Sequence, residues 1–173
     1  MNWCRPISGF VVLVSLGGWL VSGTPPGGPS STSLALPESP DLARLREEGN
    51  RLFAAQRYEE ASGIYLRGYR ESLGRRQIRP AVRFLNNLAG CEFALSRYQK
   101  AVELYQAAQR LARPIRFAEM LGMISLNLAG IYLQMGDAGA AAQAAEQGIR
   151  DLRDLPNVYF RAKLLGQFGN TRG

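Results

Sequence analysis

Residues 49–68 read GNRLFAAQRYEEASGIYLRG, and residues 89–108, forty positions on, read AGCEFALSRYQKAVELYQAA. Gly49, Leu52, Tyr58, Ala61 and Tyr65 of the first stretch stand against Ala89, Glu92, Tyr98, Ala101 and Tyr105 of the second. A third, weaker copy follows around Ala141, and Gly49, Ala89, Ala129 and Gly169 keep one phase. A period between roughly 20 and 50 residues predicts an array whose repeats bury their apolar faces against one another. Within each copy the apolar spacing is helical. Leu42, Leu45, Leu52 and Phe53 share one face, and Arg44, Glu47, Glu48 and Arg51 lie mostly off it. Gln56-Arg57 breaks that pattern, and Tyr58 to about Leu73 forms a second helix with Ala61, Ile64, Tyr65 and Gly68 inward. Small residues at Gly49 and Ala61 fit a helix crossing at the usual spacing of about 8–10 Å, with Tyr58 and Tyr65 filling the space on either side. The expected fold is all-α: an α-solenoid of antiparallel helix pairs, with three units and a partial fourth.

These residues resemble the tetratricopeptide repeat family. Its alternation of small and aromatic positions falls on Gly49, Leu52, Ala61, Tyr65 and Gly68. In the second unit it falls on Ala89, Glu92, Ala101, Tyr105 and Ala108, with Leu85 and Leu88 at the preceding apolar positions. In the third it falls on Ala129, Tyr132, Ala141, Ala145 and Gly148, with Leu128 before it. Glu48 and Glu92 replace apolar or aromatic residues, and Ala138 and Ala145 replace bulky fillers. The forty-residue spacing exceeds the family's usual length, which implies longer helices or turns, as in scaffold-forming relatives. Pro80, Pro114 and Pro156 fall between units, where proline starts a helix without interrupting one. The units expected on this alignment are 41–78, 79–113 and 114–153. A partial fourth at 156–173 would be either a cap or the start of a unit cut short.

The segments ahead of the array differ in composition. Residues 1–23 carry one charge, Arg5, and then an apolar run from Ile7 to Val21. That run is short of the ~30 Å hydrocarbon core as a helix, and Val21 and Gly23 suit a cleavage site. The expectation is a secretory signal peptide, with an uncleaved membrane anchor as the alternative, so the folded part would be exported or membrane-tethered. No cysteine follows the run, which disfavours a lipoprotein. Residues 24–40 (TPPGGPSSTSLALPESP) hold five of the nine prolines and read as a disordered linker. Ser39-Pro40-Asp41 then offers a capping residue and a first-turn proline for the array's first helix.

Composition narrows the function. The 173 residues are 46% hydrophobic, enough for one domain with a modest core. There is no histidine, which removes the commonest general base and neutral metal ligand. Cys4 and Cys91 alone build neither a zinc site nor a disulfide framework. Cys91, with no histidine to activate it, reads as a small buried hydrophobe. Glu47-Glu48 and Glu59-Glu60 are adjacent rather than facing and read as solvated helix surface. No phosphate-binding glycine loop is present. No catalytic residue, cofactor or metal is therefore expected, and the chain reads as a binding protein.

Two sets of residues are candidates for that binding. By analogy with the family, the first helices line a concave groove, placing there Arg46, Asn50 and Phe53, then Arg83, Asn87 and Phe93, then Met123, Asn127 and Gln134. Asn87 and Asn127 share a phase, and an asparagine amide can pair both the N–H and the C=O of an extended peptide. The bland alternative is helix-surface polarity. Arg46, Asn50 and Asn87 also match part of the family's carboxylate clamp, but Met123 and Asn127 stand where its third-unit basic residues belong. The second set is the basic run Arg67, Arg70, Arg75, Arg76, Arg79 and Arg83, opposed by Glu71. It reads either as dipole compensation at a helix end or as a surface for an anionic partner. The net charge of +7 allows nucleic acid, but no aromatic interleaving supports it.

The resulting reading is a protein–protein scaffold that takes a peptide or protein partner in its groove. The alternatives are a targeting segment of a larger enzyme or signalling protein, and an anion-binding module built on Arg67–Arg83.

Overall fold

The computed structural model describes residues 38–153; the readings on 1–23, on the linker up to residue 37 and on the partial fourth unit lie outside them. The described residues form six helices and no strand: α1 (Pro40–Ala54), α2 (Tyr58–Gly74), α3 (Ile78–Ala94), α4 (Tyr98–Ala112), α5 (Ala118–Gln134) and α6 (Ala138–Asp151). The pairs α1/α2, α3/α4 and α5/α6 are packed antiparallel, and α2/α3 and α4/α5 join one pair to the next. The forty-residue period is filled by helix rather than loop. α3 has 17 residues and α4 has 15, and most turns between helices are three residues long.

Each turn closes in the same way. Gln56, Arg76, Ser96, Arg116 and Gly136 all have left-handed φ, between 49° and 79°, and they recur every twenty residues. At each one the following N–H reaches back over the helix end. Arg57 donates to the Leu52 carbonyl (2.9 Å), Gln77 to Ser72 (2.8 Å), Arg97 to Glu92 (2.8 Å), Phe117 to Ala112 (3.1 Å) and Asp137 to Tyr132 (2.8 Å). This is the six-to-one bond of a Schellman C-cap, which satisfies a terminal carbonyl and reverses the chain. The repeat is thus forty residues in side-chain pattern and twenty in backbone. Ser39 sits at the α1 N-cap, yet its hydroxyl makes no cap bond and instead accepts from Arg75 at 2.6 Å.

The crossings are as close as the small residues suggested. A methyl at Gly49 would lie under 3.0 Å from the Tyr65 ring, and one at Gly68 would lie equally close to the Phe84 ring. Tyr65 and Phe84 are both fully buried, so each glycine is the socket for a ring from the next helix. Phe53 packs on Tyr58 edge to face at 5.1 Å, and Phe93 on Tyr98 at 5.6 Å, one pair at each of the first two intra-unit turns. The third unit lacks the pair, and Leu133 there is exposed.

The backbones of the first helices approach one another, α1 against α3 and α3 against α5, whereas those of the second helices stay apart. The first-helix row is therefore the tight inner side of the array and the second helices splay on the outer side. Four of the five left-handed positions hold residues with a Cβ, which costs roughly 1 kcal/mol or more at each. Ser96→Gly should therefore stabilise the protein by up to about 1 kcal/mol, less the entropy of the added glycine, as measured by urea unfolding. An unmoved midpoint would show that the left-handed backbone at Ser96 carries no appreciable strain.

Candidate functional site

Amides bind the first-helix row together. Asn87 Nδ2 on α3 donates to Asn50 Oδ1 on α1 at 3.3 Å, and the Tyr65 hydroxyl on α2 donates to the same oxygen at 2.8 Å. Asn86 Nδ2 donates to Asn87 Oδ1 at 3.2 Å, and Asn127 Nδ2 on α5 donates to Asn86 Oδ1 at 3.4 Å. A ladder of four asparagines thus crosses all three units. Asn86 and Asn87 are fully buried and Asn127 is 7% exposed. Buried amides of this kind must be paired, because an unpaired one costs about 1–3 kcal/mol. The ladder therefore fixes how the three helices register.

The residues read from sequence as a groove divide accordingly. Asn87 and Asn127 lie inside the row and serve as its floor, and Met123 is buried beside Asn86, 3.9 Å from its amide nitrogen. Arg46, Asn50, Phe53, Arg83 and Phe93 are partly exposed, and Gln134 is exposed. Arg46 is engaged: its Nε and Nη2 grip the Glu38 carboxylate at 3.1–3.3 Å. Asn86 was missed by the sequence reading, which placed Arg83, Asn87 and Phe93 in the groove from the second unit. The signal available was the Asn86-Asn87 pair itself, since adjacent helical side chains point in different directions and only one of them can share the phase of Asn127.

The basic run does not form one free patch. Arg67 and Arg75 both reach Glu71, at 3.4 and 3.7 Å, and Arg75 also pairs with Asp41 at 3.1 Å. Arg79 and Arg83 lie over the Phe117 ring, 4.7 and 5.4 Å from its centroid, a cation–π arrangement that joins α3 to the start of α5. Arg70 and Arg76 are exposed and have no ion pair among the described residues.

Glu92, which replaces an expected aromatic, is 2% exposed. Its carboxylate accepts from Ser62 on α2 at 3.2 Å, from Lys100 on α4 at 3.0 Å and from Arg97 at 3.4 Å. A buried charge is tolerated when paired in this way, so Glu92 ties three successive helices where an aromatic ring would have packed. Glu59 and Glu60 are surface residues, each held by an arginine: Arg97 for Glu59 and Arg57 for Glu60. These partners lower both carboxyls below their ordinary range.

A family model described as Tetratricopeptide repeat matches residues 81–154, which span α3 to α6. The matched helices are similar to tetratricopeptide repeats. Among solved structures, the fold is similar to the Yersinia enterocolitica type III secretion translocator chaperone SycD. The TM-score is 0.59 at 17% identity, over 83% of this chain and 98% of that one. At that identity the likeness is one of fold. No curated protein sequence matches the chain. Among the described residues no helix is long and apolar enough to cross a membrane.

Cys91 is a free, fully buried thiol. Burial, followed by the charges of Glu92 and Glu59, pushes it from 9.0 up to about 12. Because the folded state raises this pKa, its contribution to stability is complete below about pH 9 and is lost as pH climbs towards 12. Cys91→Ala should flatten the alkaline fall in unfolding free energy between about pH 9 and 10.5. Superimposable pH profiles for the variant and the wild type would assign that fall to other groups.

Proposed function

We propose that the array is a protein-interaction scaffold that takes a peptide or partner protein along the face of α1, α3 and α5. The observation that carries this reading is the asparagine ladder. It pins three helices from three repeats into one surface, so a ligand would meet a preorganised face rather than three independent helices. The partly exposed Asn50, Phe53 and Phe93 and the exposed Gln134 supply amide and aromatic contacts along it, bordered by Arg46 on Glu38 and Arg83 over Phe117. Tetratricopeptide arrays are suited to such work because stacked repeats present extended surfaces. The similar solved structure is that of a translocator chaperone, which is in keeping with a protein ligand. The anion-binding alternative is less well supported, because Arg67, Arg75, Arg79 and Arg83 are already engaged within the fold.

The test is a peptide array probed with wild type and with the variant Arg46→Gln/Arg83→Gln/Phe93→Ala. Loss of at least tenfold in affinity, with unchanged helicity, is the expected result. Equal binding by both proteins would remove this face from consideration. We also propose that the chain is exported or membrane-tethered, on the strength of the apolar run Ile7–Val21. Fractionation of expressing cells, with sequencing of the mature N-terminus, should place the protein outside the cytosol or in the membrane. A soluble cytosolic pool retaining Met1 would refute it.

A further inference from the structure

On the outer side of the array the backbones of α4 and α6 stay apart, and a cleft of about 360 Å³ lies between them above α5. Ala140 and Ala144 on α6 leave the room, and Leu128 contributes apolar floor. Its polar lining is made chiefly of amides: Gln106 and Gln109 from α4, and Gln143 and Gln147 from α6. Gln106 Nε2 donates to the Tyr132 hydroxyl at 3.4 Å, and Gln109 Nε2 donates to Ser125 Oγ at 3.2 Å. Those bonds use only the NH₂ ends. The side-chain carbonyls of Gln106 and Gln109 have no donor among the described residues and are not buried, so both are open to a ligand. Gln143, on the opposite wall, makes no hydrogen bond among the described residues and offers a whole amide. Gln147 is occupied, donating to Asp151 at 2.9 Å and accepting from Arg150 at 3.0 Å. Arg150 in turn reaches Glu146 at 3.7 Å, so the cleft offers amides rather than unopposed charge.

We propose that this cleft is a second binding site, for a short, extended, uncharged stretch of polypeptide, recognised through its backbone. Acceptors on the α4 wall suit peptide N–H groups, and the Gln143 amide on the α6 wall can pair both an N–H and a C=O. Along α6, Ala140 to Gln147 spans roughly 10 Å at 1.5 Å per residue, the length of about three extended residues. The volume lies near the lower end of the usual range for ligand sites, about 300–1,000 Å³. Ala140, Ala144 and Leu128 leave room for small apolar side chains. The site is separate from the first-helix face and does not depend on it.

The test titrates isotope-labelled protein with the blocked peptide acetyl-Ala-Ala-Ala-N-methylamide and follows the glutamine side-chain amide signals by NMR. Saturable shifts of the Gln106, Gln109 and Gln143 signals are expected. They should weaken at least tenfold in affinity in Ala144→Leu, which fills the cleft, and at least threefold in Gln143→Ala, whose exposed side chain has no role in packing. The variant Arg46→Gln/Arg83→Gln/Phe93→Ala should bind the blocked peptide like wild type, so failure of the first-helix reading is scored separately. Absence of shifts in wild type overturns the proposal, as does undiminished binding by both Ala144→Leu and Gln143→Ala. A response confined to a parallel titration with free glutamate, at Arg150, would also overturn it by making the cleft an anion site.

Discussion

The array depends on one backbone event, the left-handed residue that ends each helix and returns the chain at the next. Gln56, Arg76, Ser96, Arg116 and Gly136 perform it at intervals of twenty. Because the helices between them are of nearly equal length, every return brings the same residue positions together. Gly49 meets the Tyr65 ring and Gly68 meets Phe84. A turn one residue longer would rotate the following helix by about 100° and carry Asn87 away from Asn50. The side-chain contacts that hold the units together are therefore consequences of turn length as much as of residue choice.

This bears on what could be read from the chain beforehand. The forty-residue rhythm was legible because small residues at Gly49, Ala61, Ala89 and Ala101 are demanded by close crossings, and a demand of that kind leaves a mark in composition. The twenty-residue rhythm was not legible. Four of its five residues are Gln, Arg, Ser and Arg, and the six-to-one bond that closes each turn uses backbone atoms alone. For the same reason the sequence did not show which of the groove candidates are buried. Asn87 and Asn127 could be placed in phase, but their burial depends on how closely α1, α3 and α5 approach, and sequence periodicity does not encode that distance. Glu92 looked like a defect in the pattern. It became intelligible only with Ser62, Lys100 and Arg97 beside it, thirty residues before and up to eight after.

The preponderance of arginine also acquires a structural sense. Arg97 binds Glu59 and Arg113 binds Asp151, and both pairs are separated by 38 residues, nearly one repeat. The first joins the start of α4 to the start of α2, and the second joins the end of α4 to the end of α6. Exposed pairs such as these are worth about 0–1 kcal/mol each, so they do not hold the fold together. They do bridge second helices whose backbones stay apart. Arginine suits the position because its planar, forked donor group spans a gap that a single ammonium would meet at one point.

The splay of the second helices then accounts for where the outer cleft opens. Tyr65 and Tyr105 are buried at the corresponding positions of α2 and α4, each filling the space beside its own first helix. In α6 that position is Ala145, and Ala138, Ala140, Ala141, Ala142 and Ala144 surround it in sequence. The alanines along this helix seat against α5 without bulk and leave its middle turns short of α4. The space left over is bounded by whatever long side chains the two helices carry, and here those are glutamines. Bulk lost from the packing of the third repeat thus becomes room on its surface, lined by amides of which Gln106, Gln109 and Gln143 keep carbonyls without a donor among the described residues.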